Sequence, residues 1–188
     1  MNRRLFQVLN KSNKDFWRNI SYNMTENKSK LTVRSTAASG SQVYESNRAV
    51  YEYLLFHYGH KNDIFPYALG PVDALEFPAR SAKICSNYVK TNSVQTRALD
   101  LGCAVGGSSF ELSKSYDEVV GIDFSQHFID AANEMKHNGS MKFEVLIRGD
   151  IYKTCETNLC DSIDREKVIF KQGDACNLSS ELGNYKLI

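Results

Sequence analysis

Apolar and polar positions along this chain recur with two different periods, and the switches between them mark out the elements. Over residues 46–58, Val50, Tyr51, Leu54, Leu55 and Tyr58 follow helical spacing, which predicts a helix with Ser46 as N-cap and Gly59 as terminator. Phe65-Pro66, Gly70-Pro71 and the approach to Pro78 make 60–77 a loop. Pro78 suits the first turn of a second helix through Ala82, Cys85, Tyr88 and Val89, broken by Thr91-Asn92-Ser93. Beyond it, 97–110 reads as strand, tight turn and helix, the helix running 108–115, and 118–122 is a second strand. Ser125 then caps a helix whose Phe128, Ile129, Ala132 and Met135 form one stripe, ending at Asn138-Gly139. Residues 141–165 read as an insertion: Phe143, Val145 and Ile147 alternate like an extra strand, and 155–164 as an exposed connection. A third core strand spans 167–171, and Tyr185-Lys186-Leu187-Ile188 begins a fourth. Strands alternating with helices predict an α/β doubly wound sheet of order 3-2-1-4, with its site at the carboxyl ends of the strands.

The chemistry concentrates in Leu99-Asp100-Leu101-Gly102-Cys103-Ala104-Val105-Gly106-Gly107. Glycines at 102, 106 and 107 permit positive φ and close approach of a ligand, and the N–H groups of the following helix attract an electron-rich partner. A plain strand-to-helix turn is the alternative. A dinucleotide turn has a second glycine two after the first, where this chain has Ala104, and this weakens an NAD reading. Asp123 ends the second strand about twenty residues on, where a carboxylate can accept both ribose hydroxyls. Asp174 follows the third strand in Gly173-Asp174-Ala175. Three strand-end acids at this spacing are far more specific than one glycine loop.

With these motifs the sequence resembles the class I S-adenosylmethionine-dependent methyltransferases, which have a Rossmann-like fold. Residues 99–106 look like their first motif, Gly121-Ile122-Asp123 like their ribose motif and Gly173-Asp174-Ala175 like their adenine motif. Further wording is similar to the mercaptohistidine N-methyltransferase domain of ovothiol biosynthesis: Tyr53-Leu54-Leu55-Phe56-His57-Tyr58-Gly59, Gly70-Pro71 with Ala74-Leu75 and Phe77-Pro78, Asp123-Phe124-Ser125, and 172–178. The likeness runs from about Tyr44 to the end. It implies S-adenosyl-L-methionine as cofactor, held by Asp100, Gly102, Cys103, Ala104, Gly106, Gly107, Asp123, Phe124, Asp174 and Ala175. It also implies a small amino-acid-like acceptor, fusion to or association with a sulfoxide synthase, and no named catalytic residue. A complete fold of this class has seven strands, so the expectation is a cofactor-binding part truncated within its fourth. The helix at 46–58 would be a lid, with Tyr44, Tyr51, Tyr53 and His57 as contacts, or its aromatics merely pack on the sheet; His57 alternatively caps its own helix. Arg80 either pairs with a substrate carboxylate or sits on a solvated helix face.

Composition adjusts this picture at the edges. With 188 residues, 42% of them hydrophobic, and a net charge of +1, the chain suits one core-forming domain. Through residue 40 the basic residues are Arg3, Arg4, Lys11, Lys14, Arg18, Lys28, Lys30 and Arg34 against Asp15 and Glu26, so a basic leader precedes a mildly acidic domain. The division is therefore 1–43 disordered leader and linker, 44–92 helical cap, and 93–188 cofactor-binding core. The acidic balance of the folded part argues against nucleic acid, and no apolar run is long enough for a signal peptide or a membrane span. Mitochondrial targeting by the leader is the minor alternative to a cytoplasmic location. Five cysteines without a Cys-x-x-Cys pair, and histidines off zinc-site spacing, predict reduced thiols and no metal. Cys103, inside the turn and near a helix start, is either a stabilised thiolate or small-residue packing. An inactive truncated product, a binding module without turnover and an NAD-type protein remain the competing readings.

Overall fold

The computed structural model describes residues 42–65, 70–89 and 96–188, which fall within a single unit, Ala37–Ile188. The leader and most of the linker, the helix break at Thr91-Asn92-Ser93, and Pro66 lie outside the described residues. Helix α1 spans Asn47–Tyr58, and Ser46 caps it by accepting from the Ala49 N–H at 3.2 Å. Gly59 closes it through an N–H donated to Leu55 O at 2.8 Å, in extended rather than left-handed backbone. The expected loop beyond contains the single helical turn α2, Lys61–Ile64, and a 3-10 turn at Val72–Ala74. Helix α3, Phe77–Tyr88, carries its proline in the first turn, where the missing N–H costs nothing.

Three parallel strands form the sheet: β1 Arg97–Leu101, β2 Glu118–Asp123 and β5 Val168–Gln172, with β2 in the middle. Helix α4, Gly107–Leu112, is shorter than the expected 108–115, and α5, Gln126–Asn138, runs from its Ser125 cap to Gly139 at φ 74°. One sheet face presents Ala98, Val119, Val168 and Phe170 to a core shared with Leu54, Phe110, Phe128, Ala132 and Met135. The other face, Leu99, Val120 and Ile122, is covered by Leu182 and Tyr185. Burial on both sides is why the strands read as nearly continuous apolar runs.

Two expectations need correction. The fourth strand expected to begin at 185–188 is present only as a single parallel bridge, Leu187 to Ala98, on the β1 edge that the order 3-2-1-4 assigns to it. Tyr185 is turned onto the sheet face beneath the Arg97 guanidinium, 4.5 Å from its ring centroid, which leaves only Lys186 and Leu187 to reach that edge. The insertion is a hairpin, β3 Ser140–Arg148 with β4 Ile151–Asn158, so the first four residues of the supposed connection at 155–164 are strand. Its inner face buries Phe143, Cys155 and Thr157, with Tyr51 6.4 Å from Phe143 between ring centroids.

Gly121 at the middle of β2 lies between side chains of α4 and β5. A Cβ there would lie 2.8 Å from both Phe170 Cδ1 and Ser109 Oγ. Gly121→Ala is expected to lose ~1–3 kcal/mol of stability, the usual cost of overpacking a filled core. Urea unfolding checks this, and an unchanged midpoint would show that the two side chains move aside freely.

Candidate functional site

The turn between β1 and α4 is built from residues in unusual backbone conformations: Gly102 at φ 78°, Ala104 at φ 45° and Gly106 at φ 88°. Only glycine adopts this region readily, so Ala104 is held there by its surroundings. Its N–H donates to Asp123 Oδ2 at 2.9 Å, while Asp123 Oδ1 accepts from Ser125 N at 2.9 Å. Gly102 and Cys103 both donate to Ile122 O, at 2.8 and 3.1 Å, and Gly106 donates to Cys103 O at 2.9 Å. Gly107 N donates to His57 Nδ1 at 3.1 Å. The N–H groups of residues 102, 103, 104, 106 and 107 are therefore all engaged within the protein. Of the N–H groups at the start of the following helix, expected to attract an electron-rich partner, that of Gly107 is thus taken by His57. What the turn offers is space: a Cβ on Gly102 would meet nothing within 4 Å.

The other glycines serve packing. A Cβ on Gly106 would come within 2.6 Å of Phe170, and one on Gly107 within 2.5 Å of His57 Nδ1. Cys103 is 1% exposed, and burial first, with Asp100 and Asp123 nearby, pushes its thiol far above the ordinary range. That removes the stabilised-thiolate reading and leaves small-residue packing. Asp100 accepts from Ser109 Oγ at 2.6 Å, and burial followed by the neighbouring Asp123 charge raises its pKa above the usual carboxylate value, partly offset by that bond.

The strand ends bring the three acids to one side of the sheet. Gly173 N donates to Asp123 O at 2.9 Å, which sets Asp174 next to the tip of β2. Asp174 itself accepts from Cys176 N at 2.8 Å, a local turn that exposes Ala175. Phe124 is 39% exposed at the same rim, its carbonyl accepting from Gln172 Nε2 at 3.1 Å. Tyr53 packs on Phe128 at 4.5 Å between centroids and 6.3 Å from the Tyr44 ring. Its hydroxyl pKa is raised, mainly by burial and then by Tyr44 and the Asp123 charge. Tyr51 belongs to the core instead, and Arg80 is exposed on α3.

Sequence reasoning missed two features of this site. The Tyr58 hydroxyl donates to Val105 O at 2.7 Å, so α1 grips the turn at two points. A strap before α1 is also latched to α5: Ser125 Oγ donates to Tyr44 O at 3.0 Å, and Glu45 Oε2 lies 2.7 Å from His127 Nδ1. Tyr58 stood in the quoted wording, but nothing in a linear pattern says which backbone atom its hydroxyl will meet.

The family model described as a methyltransferase domain matches residues 92–183. Those residues, just under half of the chain, hold the sheet, the glycine turn and all three strand-end acids, and this part is similar to a methyltransferase domain of the kind that binds S-adenosylmethionine. The fold is the Rossmann-like α/β arrangement of that class. No curated protein matches the chain. Among solved structures it is similar to the YcgJ protein from Bacillus subtilis, at 17% identity over 53% of this chain and 32% of that one, with a TM-score of 0.36. It is similar also to the MccD protein, at 21% identity over 56% of this chain and 35% of that one, TM-score 0.33. EvdMO1 matches at 15% identity over 77% of this chain and 28% of that one, TM-score 0.38. The chain thus spans about a third of each of these proteins, and nothing about the site rests on such remote likenesses.

Burial holds His57 at a pKa of about 4, against an ordinary 6.5. Nδ1 can accept from Gly107 only when unprotonated, so the proton of the neutral ring sits on Nε2. Between those two pKa values the unfolded chain binds the extra proton and the folded chain does not. Stability therefore falls as pH drops from ~6.5 through ~4, by roughly 3 kcal/mol in all. His57→Asn is expected to remove that part of the acid sensitivity. Urea unfolding of both proteins at pH 7 and pH 5 tests this, and parallel losses would show that His57 is not its source.

Proposed function

We propose that this chain methylates the imidazole nitrogen of a mercaptohistidine, an ovothiol-forming step, with S-adenosyl-L-methionine as donor. The observation that carries the cofactor part is the open space beside Gly102, at a strand end where Asp123 stands with both oxygens oriented by backbone amides. Each of those oxygens keeps a further lone pair for a ribose hydroxyl. Asp174, Ala175 and the half-exposed Phe124 would border the adenine, while Tyr44 and Tyr53 would close over the ribose and exclude water. When bound, the cofactor supplies an activated methyl group on a sulfonium. The protein's part is then positioning, which can be worth ~7–11 kcal/mol. A neutral imidazole acceptor has its own lone pair and needs no general base.

The engaged N–H groups of the turn also favour this reading over an NAD-type one. A pyrophosphate is bound by a row of free backbone donors, and five of the turn's donors are already taken. The acceptor is supported by the wording of 53–59, 70–78 and 172–178. Arg80 is the proposed partner of the acceptor's carboxylate, a sulfoxide synthase the proposed source of the acceptor, and the cytoplasm the proposed location.

Calorimetry with S-adenosylhomocysteine tests the cofactor site. Asp123→Ala is expected to weaken binding roughly 10- to 150-fold through loss of charge-assisted bonds. Gly102→Val is expected to abolish it, with circular dichroism confirming the fold, and retained affinity in both variants would remove the turn from the site. Incubation with S-adenosylmethionine and either mercaptohistidine or histidine, read by mass spectrometry, tests the acceptor. Methylation of the thiolated substrate alone is the expected result; methylation of neither would refute the assigned acceptor.

A further inference from the structure

We infer that His57 and Tyr58 are positioning residues that fix the shape of the glycine turn from behind, so that helix α1 helps set the affinity of the cofactor site. This rests on the proposed cofactor reading. Two consecutive side chains at the end of α1 grip the turn at opposite polarities: the Tyr58 hydroxyl donates to Val105 O at 2.7 Å, and His57 Nδ1 accepts from Gly107 N at 3.1 Å. Between those points lies Gly106 at φ 88°. Val105 is fully buried and His57 8% exposed, while the Tyr58 bond is partly buried. Position 107 is a glycine because His57 Nδ1 stands 2.5 Å from where a Cβ would be. On the opposite flank Asp123 holds Ala104 in its left-handed conformation. The ligand-facing Gly102 thus belongs to a loop held from two sides, and only one of those sides lies in the α/β core.

Variants of the full chain distinguish positioning from simple packing. Tyr58→Phe keeps the buried ring and removes one hydrogen bond. His57→Phe keeps ring volume and removes the acceptor, whereas His57→Asn offers an oxygen close to the place of Nδ1. Tyr58→Phe and His57→Phe are each expected to weaken S-adenosylhomocysteine binding ~10-fold and to speed amide hydrogen exchange across 102–107, with exchange in β1 and β2 unchanged. His57→Asn is expected to restore most of both. Unchanged affinity in Tyr58→Phe and His57→Phe overturns the inference, whether or not exchange rises. If His57→Phe fails to fold, Tyr58→Phe carries both readouts. If the unmodified chain itself does not bind S-adenosylhomocysteine, the cofactor reading fails, and exchange alone decides the clamp: faster exchange in the variants sustains it, and identical exchange overturns it.

Discussion

The Asp123 carboxylate is the knot on which this structure depends. One oxygen takes the Ala104 N–H from the turn after β1, the other takes the Ser125 N–H that starts α5, and the residue's own carbonyl takes Gly173 N after β5. The ends of all three strands are thereby tied to a single residue. A carboxylate is suited to this because its two oxygens accept in several directions at once and charge-assisted bonds are stronger than neutral ones. The same group is the one proposed to meet the cofactor's ribose, so the architecture of the strand ends and the proposed recognition share a side chain.

A second, weaker tie holds the far face of the sheet. Arg97 pairs with Glu118, donates to Leu182 O at 3.0 Å and lies over the Tyr185 ring. Partly exposed ion pairs contribute little by themselves. The significance of Arg97 is directional: it draws the 180–186 segment across Leu99, Val120 and Ile122, which would otherwise face water.

Much of this was legible before any coordinates. The runs around Val119, Val120 and Val168 announce strands because both sheet faces are covered, and Ser125 and Gly139 bracket α5 because capping chemistry is local. The strand-end acids follow from the same alternation. Strand β4 escaped because its two buried residues, Cys155 and Thr157, are small or polar and mimic a surface connection. The grip of α1 on the turn escaped for a different reason: its partners lie 47 and 50 residues apart, and a histidine in a last helical turn reads as a cap for its own helix. Nor can a linear motif tell that the turn's N–H groups are engaged, since their acceptors, Ile122 O, Asp123 and His57, come from other elements.

That engagement has a thermodynamic consequence. A loop whose donors are satisfied in advance loses little conformational entropy when a molecule arrives, because its ordering was completed on folding. At such a loop discrimination would come more from contour than from field: a Cβ on Gly102 would meet nothing within 4 Å, and five of the turn's amides are already spoken for. Under the proposed reading, such a turn would favour a ligand that brings a ribose but no phosphate over the abundant phosphorylated nucleotides.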